Sequence, residues 1–151
     1  MKWRLIDRID RFEPWQHAAG AKTVSFEEYS LLKRLGRKGA FPESLVLDAC
    51  VELARWLVAG SSDFAQVAAL EQIEDFAFRT EAGRGDVLEI SLTTLNRDET
   101  HLALKCAVAF AGREVASGKI TVNLSPLSES FDREWLVGLW QELRRSAHAQ
   151  A

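Results

Sequence analysis

At 151 residues the chain is one domain by size, and 47% apolar with 27% charged residues is an ordinary globular balance, not that of a disordered chain. A net charge of −3 with no long basic block argues against nucleic acid as a partner. No run approaches the roughly 18 apolar residues of a membrane span, and MKWRLIDRID has no apolar core of signal-peptide length, so a cytoplasmic protein without a membrane partner is expected.

Apolar positions Leu5, Ile6, Ile9 and Phe12 separated by charges predict a short lead-in and a first strand. Glu13-Pro14-Trp15-Gln16 is a turn, and Ala18 to Val24 resumes as a strand, so the pair forms a hairpin. Ser25 and Glu28 have the spacing of a capping box, which predicts a short helical turn over Phe26 to Leu35. Gly36-Arg37-Lys38-Gly39 is loop, within the basic run Lys33, Arg34, Arg37 and Lys38.

Phe41 to Val58, FPESLVLDACVELARWLV, is the dominant element. Pro42 suits the first turn of a helix, eleven apolar residues follow through Val58, and Gly60-Ser61-Ser62 stops it. A helix this apolar is buried, which would set Asp48 in a hydrophobic wall. Asp48, Glu52 and Arg55 recur at i, i+4 and i+7; Glu52 and Arg55 pair with each other. A buried carboxylate left over either has an ion-pair partner, Arg34 or Arg55, or does chemistry.

Beyond the helix the period changes to two. Val67 to Leu70 and Ile73 to Phe78 read as two strands. Val87 to Thr93, Leu102 to Phe110 and Val115 to Leu124 alternate cleanly, with turns at 81–86, 96–99 and Gly112-Arg113, which predicts an antiparallel meander. Pro126 ends the last strand. Phe131 to Arg145 shows a helical apolar stripe through Trp135, Leu136, Leu139 and Leu143, suited either to cover the sheet or to dock a partner; Ser146 to Ala151 is expected to fray. The class is α+β, with a twisted sheet wrapped around one hydrophobic helix. Cys50 and Cys106 read as buried reduced thiols. His17, His101 and His148 have no ligand spacing and no CxxC or HExxH exists, so neither metal nor cofactor is expected.

The order hairpin, loop, hydrophobic helix, meander resembles the hotdog fold. From about Leu5 to Leu124 the chain is similar to the 3-hydroxyacyl-(acyl-carrier-protein) dehydratases of that fold. Ile6-Asp7-Arg8-Ile9 resembles the family's V-D-R-V, Phe12-Glu13-Pro14 its L-E-P, and Ala21-Lys22-Thr23-Val24 its I-K-N-V. Phe41-Pro42 resembles the M-P before the helix, Leu47-Asp48-Ala49 its L-[ED]-A, and Gly85-Asp86 its P-G-D. No gap is needed from Ile6 to Ala49.

The resemblance implies a hotdog domain over 1–125, followed by a C-terminal amphipathic helix and tail over 126–151. It also implies a dimer in which the L-[ED]-A carboxylate, here Asp48, faces a histidine of the other subunit across a tunnel for the acyl-pantetheine arm. That histidine takes the C2 proton and the carboxyl helps hydroxide leave as water. Fourteen residues before Asp48, where the family has His-Phe-Pro, stands Arg34-Leu35-Gly36. Arginine stays protonated and is no general base. Glu43 takes the place of a glycine whose N–H polarises the thioester carbonyl. The residues expected around the substrate are Arg34, Phe41, Pro42, Glu43 and Glu52.

The function implied is binding or conversion of 3-hydroxyacyl or enoyl thioesters of acyl carrier protein or CoA, in fatty-acid or polyketide-like synthesis. The alternatives are a non-catalytic subunit, in a homodimer or paired with an active hotdog paralogue, and a thioesterase using Asp48.

Overall fold

The computed structural model describes residues 5–24, 43–83, 85–128 and 132–149. The expected helical turn over Phe26 to Leu35, the basic loop and the entry Phe41-Pro42 lie outside the described residues. Six antiparallel strands form one sheet in the order β1-β2-β4-β5-β6-β3: β1 (Arg8–Glu13), β2 (His17–Thr23), β3 (Gln66–Phe78), β4 (Val87–Arg97), β5 (His101–Phe110) and β6 (Arg113–Pro126). Helix α1 (Glu43–Ser61) lies against this sheet, and helix α2 (Arg133–Ala149) packs on β1. This is an α+β hotdog architecture.

Turn chemistry explains the joints. Trp15 takes a left-handed φ of 60° in the hairpin turn. The Ser61 hydroxyl accepts from the Trp15 N–H at 2.7 Å, and the Thr94 hydroxyl donates to the Trp15 carbonyl at 2.6 Å, so the hairpin is fastened to the end of α1 and to β4. Ala111 and Gly112 both have positive φ, 49° and 79°, a two-residue connection of the kind that matches strand twist. Asp98 Oδ1 accepts from the backbone N–H groups of Thr100 and His101, both at 2.8 Å, and closes the β4–β5 turn. Those two bonds hold the Asp98 carboxyl below its ordinary value.

Two residues of the family resemblance hold strand ends. Asp7 Oδ2 accepts from the Thr23 N–H at 2.6 Å, and Asp86 Oδ2 accepts from the Gly83 N–H at 2.7 Å. The Val24 N–H bonds to the Asp86 carbonyl at 3.0 Å. In these positions the sequence signature carries the frame of the fold rather than its chemistry.

The core lies between α1 and the sheet. Val46, Ala49, Cys50, Leu53 and Leu57 meet Leu88, Ile90, Leu104, Cys106, Val108 and Ile120, all buried. Burial of such side chains is worth about 1.5–3 kcal/mol each. Cys50 and Cys106 are free thiols inside this core. The adjacent Cys106 thiol, and then burial, push the Cys50 thiol well above its usual value, so it is no thiolate nucleophile.

Four expectations are corrected. The region read as two strands is one strand, β3, with register shifts at Leu70/Gln72 and Glu74/Ala77. Each bulge changes which face the next residue points to, which broke the alternation in two. Strand β4 continues through Asn96 and Arg97, so that turn begins at Asp98. Helix α1 runs on to Ser61, and the chain leaves it through Asp63 and Phe64, both with positive φ. The C-terminal helix continues to Ala149 instead of fraying at Ser146.

Helix α2 is a packed cover. Asp132 caps it, accepting from the Trp135 N–H at 3.1 Å. Trp140 sits edge-on to Phe12 (4.8 Å between centroids) and Phe64 (6.2 Å), and beside Trp56 (6.1 Å). Gly60 makes room for it: a Cβ there would lie 2.8 Å from the Trp140 ring. Leu143 is buried as well, while Trp135 remains 52% exposed.

Candidate functional site

Helix α1 has two faces. The sheet-facing stripe described above is apolar, and on the opposite side Ser44, Asp48 and Arg55 are exposed. Asp48 is therefore on the outer face of the helix in the single chain, not inside its hydrophobic wall. Its sequence neighbours Leu47 and Ala49 are turned about 100° away on either side. Its face-mates are Ser44, Glu52 and Arg55, four, four and seven residues off.

The expected pair forms, with Arg55 Nη1 3.4 Å from Glu52 Oε2 across one turn. Asp48 makes no hydrogen bond or ion pair among the described residues, so the partner considered in Arg55 is engaged elsewhere. Glu43 is exposed in the first turn of α1, where its charge suits the helix dipole. Arg34, Phe41 and Pro42 lie outside the described residues.

Beside Glu52 and Arg55 opens a cavity of about 440 Å³ between α1, β3 and α2. Its walls are mainly apolar: Trp56 and Ala59 from α1, Val67, Ala68 and Ala69 from β3, and Leu136 from α2. The residues 48, 52, 55 and 59 follow one another along the same helical face, so the cavity continues the face that carries Asp48. Sequence reasoning gave Glu52 a place here and missed Leu136. The signal for Leu136 was its position one turn before Trp140 on the apolar stripe of α2.

The histidines are accounted for separately. His17 begins β2, with Nδ1 3.3 Å from the Thr93 hydroxyl. It is half-buried and part of the sheet. His101 Nε2 is 2.7 Å from Glu71 Oε2. Neither is bonded to Asp48. Among the described residues no three His, Cys, Asp or Glu side chains gather as a metal ion would require, and no helix is long and apolar enough to cross a membrane.

Comparison with known proteins gives the sheet and helix a class. The structure superimposes on a Streptococcus mutans protein solved bound to acetyl CoA, smu.793, with a TM-score of 0.64 over 81% of this chain and 90% of that one, at 19% identity. A hot-dog-like protein from Thermanaerovibrio acidaminovorans matches with a TM-score of 0.64 over 82% and 91% of the two chains, at 15% identity. The dehydratase heterocomplex ApeI:P from Xenorhabdus doucetiae matches with a TM-score of 0.64 over 84% and 85%, also at 15% identity. The fold is thus that of the hotdog proteins.

In sequence, the chain is 30% identical over 124 residues to the 3-hydroxyacyl-[acyl-carrier-protein] dehydratase FabZ of Jannaschia sp., covering 80% of this chain and 74% of that protein. The corresponding enzyme of Syntrophotalea carbinolica is 27% identical over 128 residues, covering 83% and 86%. The chain belongs to this dehydratase family. No protein-family model matches it.

Proposed function

We propose that this protein is a dehydratase-like hotdog subunit that binds 3-hydroxyacyl or enoyl thioesters of acyl carrier protein or CoA, in fatty-acid or polyketide-like synthesis. It contributes Asp48 to a site completed by a second subunit. The observation that carries the reading is Asp48 itself: a carboxylate without a partner among the described residues, on the outer face of α1, continuous with an apolar cavity.

In the single chain that carboxylate is solvated. General acid–base work favours a carboxyl shielded from bulk water, which a covering subunit would supply. The dehydration removes the C2 proton to a base, forms the C2–C3 double bond and releases the C3 oxygen as water with a proton from the carboxyl. With Arg34 at the expected base position and neither His17 nor His101 bonded to Asp48, the base is assigned to the partner subunit. The family relatives named as dehydratases support the chemistry, and a hotdog dehydratase solved as a heterocomplex supports a mixed dimer. The basic run Lys33 to Lys38 suits an acidic carrier protein, whose docking it would speed.

The test is complementation. Purified protein is incubated with 3-hydroxyacyl-, enoyl- and saturated acyl-pantetheine, alone and mixed with a histidine-bearing hotdog dehydratase whose own carboxylate has been replaced. The expected result is little turnover alone, dehydration in the mixture, and its loss with Asp48→Asn. Release of free thiol by the protein alone, abolished by Asp48→Asn, would replace this reading with a thioesterase.

A further inference from the structure

We propose that Leu136, on the C-terminal helix, closes the far end of the acyl cavity and limits the length of acyl chain the protein accepts. The inference rests on the acyl-thioester reading above and adds to it the determinant of chain length.

Three observations combine. First, the cavity has a direction. With the thioester at Asp48, the acyl tail lies along the α1 face through Glu52 and Arg55 toward Ala59. That path climbs about 16 Å at 1.5 Å per residue, the reach of an extended acyl chain rather than of an acetyl group. The charged pair Glu52–Arg55 flanks the route, and Ala59, Ala68 and Ala69 keep it open because their side chains are small.

Second, α2 lines the cavity through Leu136, and α2 is held firmly. Trp140, one turn beyond Leu136, is wedged among Phe12, Trp56 and Phe64 over Gly60. Arg133 bonds the Asp63 carbonyl at 3.0 Å, and Arg144 reaches the Ile9 carbonyl at 3.5 Å. Leu136 therefore stands at a fixed position beside Trp56 and Ala59. A fixed wall discriminates by length, whereas a loose one would yield.

Third, the wall belongs to this chain. The stretch that resembles the dehydratases runs from about Leu5 to Leu124, and α2 begins at Arg133. A helix added after the last strand, seated with one leucine in the cavity, alters the shape of the pocket without touching the frame that carries Asp48.

The experiment uses the full-length protein and a series of saturated acyl-CoA thioesters from butyryl to hexadecanoyl, with binding followed by calorimetry. In the unsubstituted protein affinity rises about fourfold per added methylene until the tail meets Leu136, then stops rising. Leu136→Ala moves that break to longer chains and gains about tenfold for the first length the unsubstituted protein rejects. Leu136→Phe moves it to shorter chains. Because the two substitutions shift the break in opposite directions, general destabilisation cannot imitate the pair. A break at the same length in all three proteins overturns the inference and leaves the acyl-thioester reading standing. Absence of binding at every length in the unsubstituted protein overturns both.

Discussion

Strands β1 and β3 are the two outer strands of one sheet, and each presents a row of backbone groups that the described sheet does not pair. Strand β1 is six residues long, and α2 packs on it through Trp140 and Leu143. Strand β3 is thirteen residues long, and residues 69–75 are all exposed, with Leu70 at 38% and Ile73 at 43%. Among the described residues, the chain covers one edge and not the other. A long outer strand with exposed apolar side chains is the kind of edge on which another strand can pair, and two bulges interrupt it. A dimer through α1 and this strand edge would set its interface next to the cavity that α1 and β3 share, which makes the edge the place to test assembly.

Breaking the covered side should cost most. Trp140→Ala removes the ring that joins α2 to Phe12, Trp56 and Phe64, with an expected loss of about 3 kcal/mol in urea unfolding. Next comes the seam between β6 and the open strand. Gly118 faces the backbone of Phe76, where a Cβ would lie 2.7 Å from its Cα, so Gly118→Ala should destabilise by about 2 kcal/mol. A change on the open side should act on assembly instead. Ile73→Lys should alter stability by less than about 0.5 kcal/mol, yet shift a dimer toward monomer in sedimentation at micromolar concentration; an unchanged dimer would remove β3 from the interface.

The smallest effect lies at neither edge. The Asp98 carboxyl is held low by the N–H groups of Thr100 and His101, so its stabilisation is present above the unfolded carboxylate value of about 3.9 and fades as pH falls through the folded one. The stability difference between the unsubstituted protein and Asp98→Ala should therefore shrink on acidification below that range.

Much of the frame could be read from the residues. The turn at Pro14, the alternation of β4, β5 and β6, and the stop at Pro126 are local signals that tertiary structure did not override. Strand β3 was harder, because a bulge shifts the phase of an alternating pattern and looks like a break. Asp48 was misplaced for another reason. It is flanked in sequence by Leu47 and Ala49, yet a residue's surroundings in a helix are set by positions three and four away, and those are Ser44, Leu45, Val51 and Glu52. The cavity was not readable at all, since it needs α2 brought from the far end of the chain to stand against Trp56 and Ala59.

The seating of Trp140 has an optical consequence. Its indole and that of Trp56 are 6.1 Å apart and inclined by 35°, close enough for their electronic transitions to couple. One of those rings belongs to the helix that lines the cavity through Leu136 and the other to the cavity wall itself. Near-ultraviolet circular dichroism therefore carries a built-in report on whether α2 is docked, without any label, and an acyl tail arriving beside Trp56 would disturb the same signal.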